Sequence, residues 1–304
     1  MKISKVVKLL IKSIFNAADL DVKRVPLRIG IKIKRRVEVE DNALKELPLV
    51  LEDPIEAMHR HRGGKDTAFE GPLDKYVLSN GLSYREEAWS PHYETIIQHA
   101  NGDINEYKDS SLYHFAQVHN PRNALESIIG FKDGPKSFKN LPPYLYQLYP
   151  WTSETAKDKE KSIKQWYHND ALEAGVEGVI LKEDGFHSVR WNRGTYRRLI
   201  QLYESISKSG YMRSLGHVEV MILRRDDEYR YLVVHGHNRV AVMHAMGYVS
   251  IPSICRSPWV VDLKDVAYWP QVRRGIWDKE SATAYFNHLF DFDSCSWARS
   301  KGLL

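Results

Sequence analysis

The chain predicts an α/β fold, a small mixed sheet flanked by helices, and three stretches carry that prediction. The β-branched and aromatic runs His217 to Leu223 and Tyr229 to Val234 are joined by Arg224-Arg225-Asp226-Asp227, the pattern of two short strands around a tight charged turn. From Val233 to Tyr248 a β-rich run passes through Gly236 straight into Asn238-Arg239-Val240-Ala241-Val242-Met243-His244-Ala245, which reads as a strand giving way to a helix. On either side, Leu199, Leu202, Tyr203 and Ile206 recur at helical spacing before Gly210, and Ile251-Pro252-Ser253-Ile254-Cys255 follows Gly247 as a further short strand. The expected order is helix, strand, strand, turn, helix, strand.

The earlier chain is less periodic. Residues 1–36 carry eleven basic residues against Asp19 and Asp21, so this segment holds a net +9 and the remainder −4 of a total of +5. Within it Ile3, Val6, Val7, Leu10, Ile14 and Phe15 share a helical face with Lys5, Lys8 and Lys12 largely off it. Such a helix is expected either to lie on an anionic membrane surface or to dock on its own domain or a partner. Sequence-specific nucleic-acid binding is not expected, because a basic tail gives salt-sensitive attraction without a base reader. Pro48, Pro54 and His59-Arg60-His61-Arg62-Gly63-Gly64-Lys65 mark an exposed connection. Residues 66–150 are rich in Tyr, His, Pro and Gly. Ser90-Pro91-His92-Tyr93 with Tyr107, Tyr113 and Phe115 suggests either a packed accessory layer or a substrate wall. Thr152 to Lys164 reads as a solvated charged loop before a helix around Ile163 to Ala174, and a last helix is expected around Lys279 to Phe290.

At 304 residues and 43% hydrophobic content the chain can bury one good core or two modest ones. Two cysteines, Cys255 and Cys295, cannot build a disulfide framework, and no apolar run reaches spanning length. These features exclude disulfide-rich and membrane-spanning classes and favour a cytoplasmic protein, either free or peripheral at the inner membrane face.

The turn at Gly236 is the strongest candidate site. The first N–H groups of a helix lack intrahelical partners and the macrodipole adds positive potential, so a strand feeding a helix N-terminus makes an anion site. Gly236, His237, Asn238 and Arg239 are therefore the expected phosphate-binding residues, Gly236 for close approach and Arg239 for its planar fork of donors. His235 and His237, two apart, are candidate catalytic groups. A metal clamp completed by His187, His217 or His244 is the alternative reading, although no spacing matches a known metal pattern. Glu183 is the preferred candidate for a general base, ahead of Glu204, with Asp184 beside it; solvated surface carboxylates are the ordinary alternative.

With Leu202, Ser205, Ile206, Gly210, Gly236, Arg239, Ala241, Gly247 and Pro252 in this order, residues 175–290 resemble the ParB/sulfiredoxin-like superfamily. The resemblance implies a small mixed sheet in which the Gly-x-x-Arg turn holds nucleotide phosphates, and activities spanning CTP-dependent DNA clamps, sulfinic-acid reductases, nucleases and small-molecule kinases. Sulfiredoxins place a cysteine after the turn glycine, where this chain has His237. DNA-partitioning members continue into helix-turn-helix segments, whereas this chain continues into Pro258-Trp259-Val260-Val261-Asp262. The serine-kinase branch carries Asp before the glycine, where His235 stands.

Trp269-Pro270-Gln271-Val272-Arg273-Arg274-Gly275, together with the basic N-terminal segment, is similar to uncharacterised ParB-like proteins of surface-polysaccharide biosynthesis. The resulting organisation is a basic segment 1–36, an accessory region 37–174, the ParB/sulfiredoxin-like domain 175–290 and a tail 291–304. The expected function is nucleotide binding (ATP, ADP or CTP) with magnesium, and phosphate transfer to a small polar acceptor. A nonenzymatic nucleotide-dependent switch or scaffold and a ParB-like nuclease are the alternatives.

Overall fold

The computed structural model describes residues 49–54, 56–57, 67–173, 189–212 and 216–304. The amphipathic segment 1–36, the connection His59–Lys65, and Glu183, Asp184 and His187 lie outside the described residues. Six strands form one mixed sheet: β1 (Leu49–Leu51), β2 (Thr67–Pro72), β3 (Tyr76–Val77), β4 (Val218–Arg225), β5 (Glu228–His235) and β6 (Ser250–Asp262). Their spatial order is β1-β2-β6-β4-β5-β3. The pairs β4–β5 and β2–β6 are antiparallel, while β4–β6, β3–β5 and β1–β2 are parallel. The sheet thus draws strands from before residue 175 as well as after it.

The expected central order is present. Helix α4 (Val189–Ser209) buries Leu199 and Ile206 and packs Leu202 and Tyr203 against the same core. The β4–β5 hairpin turns on two residues rather than four. Arg225 pairs with Glu228 across the strands, with their side chains 2.8 Å apart, and Asp226 takes φ 52, the left-handed turn conformation that suits the twist of a hairpin. Helix α5 (His237–Ala245) follows β5 and ends at Gly247, whose φ of 78 lets Tyr248 N–H bond back to the Met243 carbonyl at 3.1 Å.

Side-chain alternation divides the sheet's two faces. Val218, Val220 and Ile222 of β4 with Tyr231 and Val233 of β5 pack under α1 (Pro91–Asn101), α2 (Ser111–Val118), α4 and α5. Met221, Leu223 and Leu232 face the other way, toward Tyr285, Phe286, Leu289 and Phe290 and a set of short turns between residues 124 and 151. The remaining described helices are α3 (Ala156–Glu173), α6 (Pro270–Arg273), α7 (Lys279–Asp291) and α8 (Ser294–Ser300). Residues after 290, read as a tail, form α8. Its Ala298 is buried and Trp297 packs against Trp89 at 6.1 Å. Tyr107, Tyr113 and Phe115 form the packed layer on the first face: Tyr107 meets Tyr113 edge-on at 5.3 Å and Phe115 lies 5.9 Å from Trp89.

Candidate functional site around the β5–α5 turn

Gly236 is the N-cap of α5 at φ 92 and ψ 21, a backbone state that L side chains rarely adopt. A Cβ there would stand 3.1 Å from Val218 Cγ2 and 3.3 Å from Val218 Cα, so the absence of a side chain also lets the turn press onto β4. No side chain caps the helix, and its first intrahelical bond runs from Val240 N–H to the Gly236 carbonyl at 3.1 Å. The turn is tied to the rest of the core by the Tyr84 hydroxyl, which donates to the His237 carbonyl at 3.4 Å.

The four sequence-predicted binding residues therefore open one helix together, but they do not all face one space. Arg239 turns toward the start of β4, where Nη1 donates to the His217 carbonyl at 2.9 Å. Its guanidinium thus braces the turn from behind. His235 and His237 instead line a cavity of about 610 Å3 that Asn238 and Arg239 do not touch. His235 is exposed, with Nε2 3.9 Å from a Glu219 carboxylate oxygen, and that carboxylate is held by Arg256 through bonds of 2.7 and 2.6 Å. His237 is held neutral: burial, His235 and His92 push it down to about 4, against a smaller upward pull from the Val233 backbone. His92, in the first turn of α1, is likewise pushed by burial to about 4, and its Nδ1 is buried without a partner. His244 contacts the rings of Tyr84 and Tyr93 at 5.7 and 4.8 Å.

Among the described residues no group of three or more His, Cys, Asp or Glu is placed to hold a metal ion, so a clamp completed by His217 or His244 does not form, and one completed by His187 lies outside the described residues. Glu204 is exposed on α4. Cys255 is a buried free thiol that burial pushes up to about 12, the environment of an inert core residue.

The cavity lies over the second face of the sheet, on Met221 and Val234. Its lip is a bulge in β6. Cys255 pairs with Val220 and Val260 with Ile222, so residues 256–259 stand opposite Met221 alone. Trp259 within this bulge takes φ 60, a strained state for a bulky residue, and its neighbour Pro258 lines the cavity. The far wall comes from Gln147, Tyr149 and Trp151 to Glu154, and from Lys159, Ser162 and Ile163, which fall on one face of α3. Lys159 is largely enclosed, at 16% side-chain exposure, with Nζ 3.3 Å from Glu154 Oε2 and 5.6 Å from the Tyr149 ring centre. Tyr149 stacks on Trp151 at 5.4 Å, and Trp151 on Tyr285 at 5.9 Å. These near-parallel rings form an aromatic column around the buried Trp151 that supports the wall.

The wall is fixed through its backbone. Buried Gln271 donates from Nε2 to the Thr152 and Glu154 carbonyls at 2.9 and 2.6 Å, and its own N–H donates to the Pro150 carbonyl at 3.0 Å. Arg274 donates to the Ser153 carbonyl at 2.6 Å, and Trp277 Nε1 to the Leu148 carbonyl at 2.9 Å. The Trp269–Gly275 segment singled out in the sequence, together with Trp277 just beyond it, is therefore the clamp for residues 148–154. Sequence reasoning missed Lys159, Glu154 and Gln271 as site residues. Lys159 lies in a run with Lys157, Lys161 and Lys164, and only the i, i+3, i+4 set with Ser162 and Ile163 sets it apart.

No protein-family model, curated protein or solved structure matches the chain.

Proposed function

We propose that this chain is a nucleotide-binding protein of the ParB/sulfiredoxin-like type, which holds phosphates at the Gly236–Arg239 turn and transfers one to a small polar acceptor in the adjoining cavity. The observation that carries this reading is the uncapped N-terminus of α5, entered through a left-handed glycine, with its first residue lining a cavity of about 610 Å3. The order α4, β4–β5 hairpin, turn, α5 and β6 supports the superfamily assignment.

The N–H groups of the first turn would orient the phosphates, with Arg239 stabilising the turn from the His217 side and adding charge. Neutral His237 can accept a proton from an acceptor hydroxyl at neutral pH, the role of a general base. Glu154 is the one carboxylate among the described residues lining the cavity. That donor set suits magnesium, which typically binds through one or two carboxylates plus phosphate oxygens and water, and which when bound neutralises phosphate charge. The setting we infer is surface-glycan assembly at the inner membrane face, with residues 1–36 toward anionic lipid. Among the described residues no helix is long and apolar enough to cross a membrane.

Calorimetric titration of ATP, ADP, CTP and GTP, each with and without magnesium, tests the reading on the native protein, Arg239→Ala and Arg239→Lys. One nucleotide should bind natively, lose most of its affinity in Arg239→Ala and recover part of it in Arg239→Lys while thermal melting stays cooperative. Absence of binding by any nucleotide would overturn it. A nonenzymatic switch is the second reading, favoured by His235 standing where the kinase branch carries Asp. It predicts tight binding without turnover when candidate acceptors are supplied.

A further inference from the structure

We propose that the accessory segment 147–163 is the second half of the ligand site. In this arrangement Lys159 binds the phosphoryl end of the ligand in the cavity, taking it in place of Glu154, and Gln271 positions the loop that carries Glu154. The inference rests on the nucleotide reading and adds to it a cation that lies outside the turn.

Three observations converge. Lys159 is a largely enclosed cation in the wall of the same cavity that His235 and His237 line. An enclosed charge must be paired, and its partner Glu154 is the more exposed member, at 41% against 16%, so the carboxylate can swing to solvent while the ammonium stays in the cavity. The Glu154 main chain, by contrast, is held: its carbonyl accepts from the buried Gln271 amide at 2.6 Å, and the preceding Ser153 carbonyl accepts from Arg274 at 2.6 Å. Glu154 therefore acts as a place-holder on a fixed hinge. A phosphoryl group carries more negative charge than a carboxylate and more acceptor oxygens, so it outcompetes Glu154 for Lys159. The freed carboxylate then becomes available to a cation arriving with the phosphates. Lys159 also sits in the first turns of α3, where the helix's own N-terminal potential disfavours a cation and favours an anion beside it.

The test is calorimetry on the full chain with pyrophosphate and with ATP, comparing native protein, Lys159→Met, Lys159→Arg and Glu154→Gln. Lys159→Met should weaken both ligands by at least about tenfold, as loss of one charge-assisted hydrogen bond implies. Lys159→Arg should retain most of the affinity. Glu154→Gln removes the competing charge and should tighten pyrophosphate binding several-fold without magnesium. If ATP binds and depends on Arg239 but is unchanged in a folded Lys159→Met protein, this inference fails while the nucleotide reading stands. If pyrophosphate binds through Lys159 and no nucleotide binds, the nucleotide reading fails and the cavity assignment survives. Absence of binding by either ligand overturns both.

Discussion

The two faces of the sheet are made from the same strands yet finished in opposite ways. On the first, Val218, Val220, Tyr231 and Val233 are sealed by helices whose own residues, Ile96, Leu199, Ile206 and Val240 to Met243, fill the space between them. On the second, Met221 and Leu232 are covered partly by α7 and partly by irregular chain that is fixed through its carbonyls by Gln271, Arg274 and Trp277. Regular helices bring their own hydrogen bonds and close-pack. A loop held at its backbone can stand off the sheet and leave a cavity. The difference teaches where function can sit: the helix-covered face is a scaffold for the turn, and the loop-covered face holds the space the turn opens into.

Substitutions can break each side of that comparison. Trp277→Ala should have the largest effect, about 3 to 5 kcal/mol of stability by urea unfolding, because it empties a fully buried site and releases the Leu148 carbonyl. A loss under half of that would mean the second face does not depend on its clamp. Gln271→Leu should cost about 2 to 3 kcal/mol by leaving two wall carbonyls without their donor. Its sharper signature is faster amide exchange confined to residues 148–154, and an unchanged exchange pattern there would contradict the clamp. Gly236→Ala, on the other face, should cost about 1 to 3 kcal/mol through its positive φ and the approach to Val218. Neutral stability in that variant would show that the turn relaxes freely.

Acid titration probes both faces at once. His92 and His237 beside the turn and His288 on α7 are each lowered from an ordinary value near 6.5 to about 4, chiefly by burial. The unfolded chain therefore binds more protons than the folded one in this range. Their contribution is fully present above about pH 6.5 and is lost as pH falls toward about 4. Urea midpoints should fall steadily across that window, and His288→Leu should flatten the slope. A midpoint that rises on acidification would refute the burial of neutral imidazoles. The smallest effect belongs to Arg256→Ala, outside the cavity, where a partly exposed pair with Glu219 should contribute under about 1 kcal/mol.

The first face was the more legible in sequence. Helical spacing placed Leu199 and Ile206 inward, alternation placed β4 and β5, and Gly236 marked the turn, because each of these signals is local and periodic. The second face was opaque for a physical reason. Residues 152–164 read as solvated since they are charged, and only its spacing to Ser162 and Ile163 distinguishes Lys159, which is enclosed by Tyr149 and Glu154, from the exposed Lys157 and Lys161. Strand β6 reads as five residues but runs for thirteen, because its bulge at 256–259 breaks the pattern before the strand resumes. Gln271 looked like part of a motif without a mechanism; its role lies in bonds to carbonyls more than a hundred residues away.

The most direct test of the account is a crystal structure of the full chain with magnesium and a nonhydrolysable ATP analogue. The account predicts phosphate density within hydrogen-bond reach of the main-chain N–H groups of residues 237–239 on one side and of Lys159 Nζ on the other, with Glu154 turned away from Lys159. Nucleotide density elsewhere on the molecule, or phosphates at the turn with the Lys159–Glu154 pair intact, would contradict it.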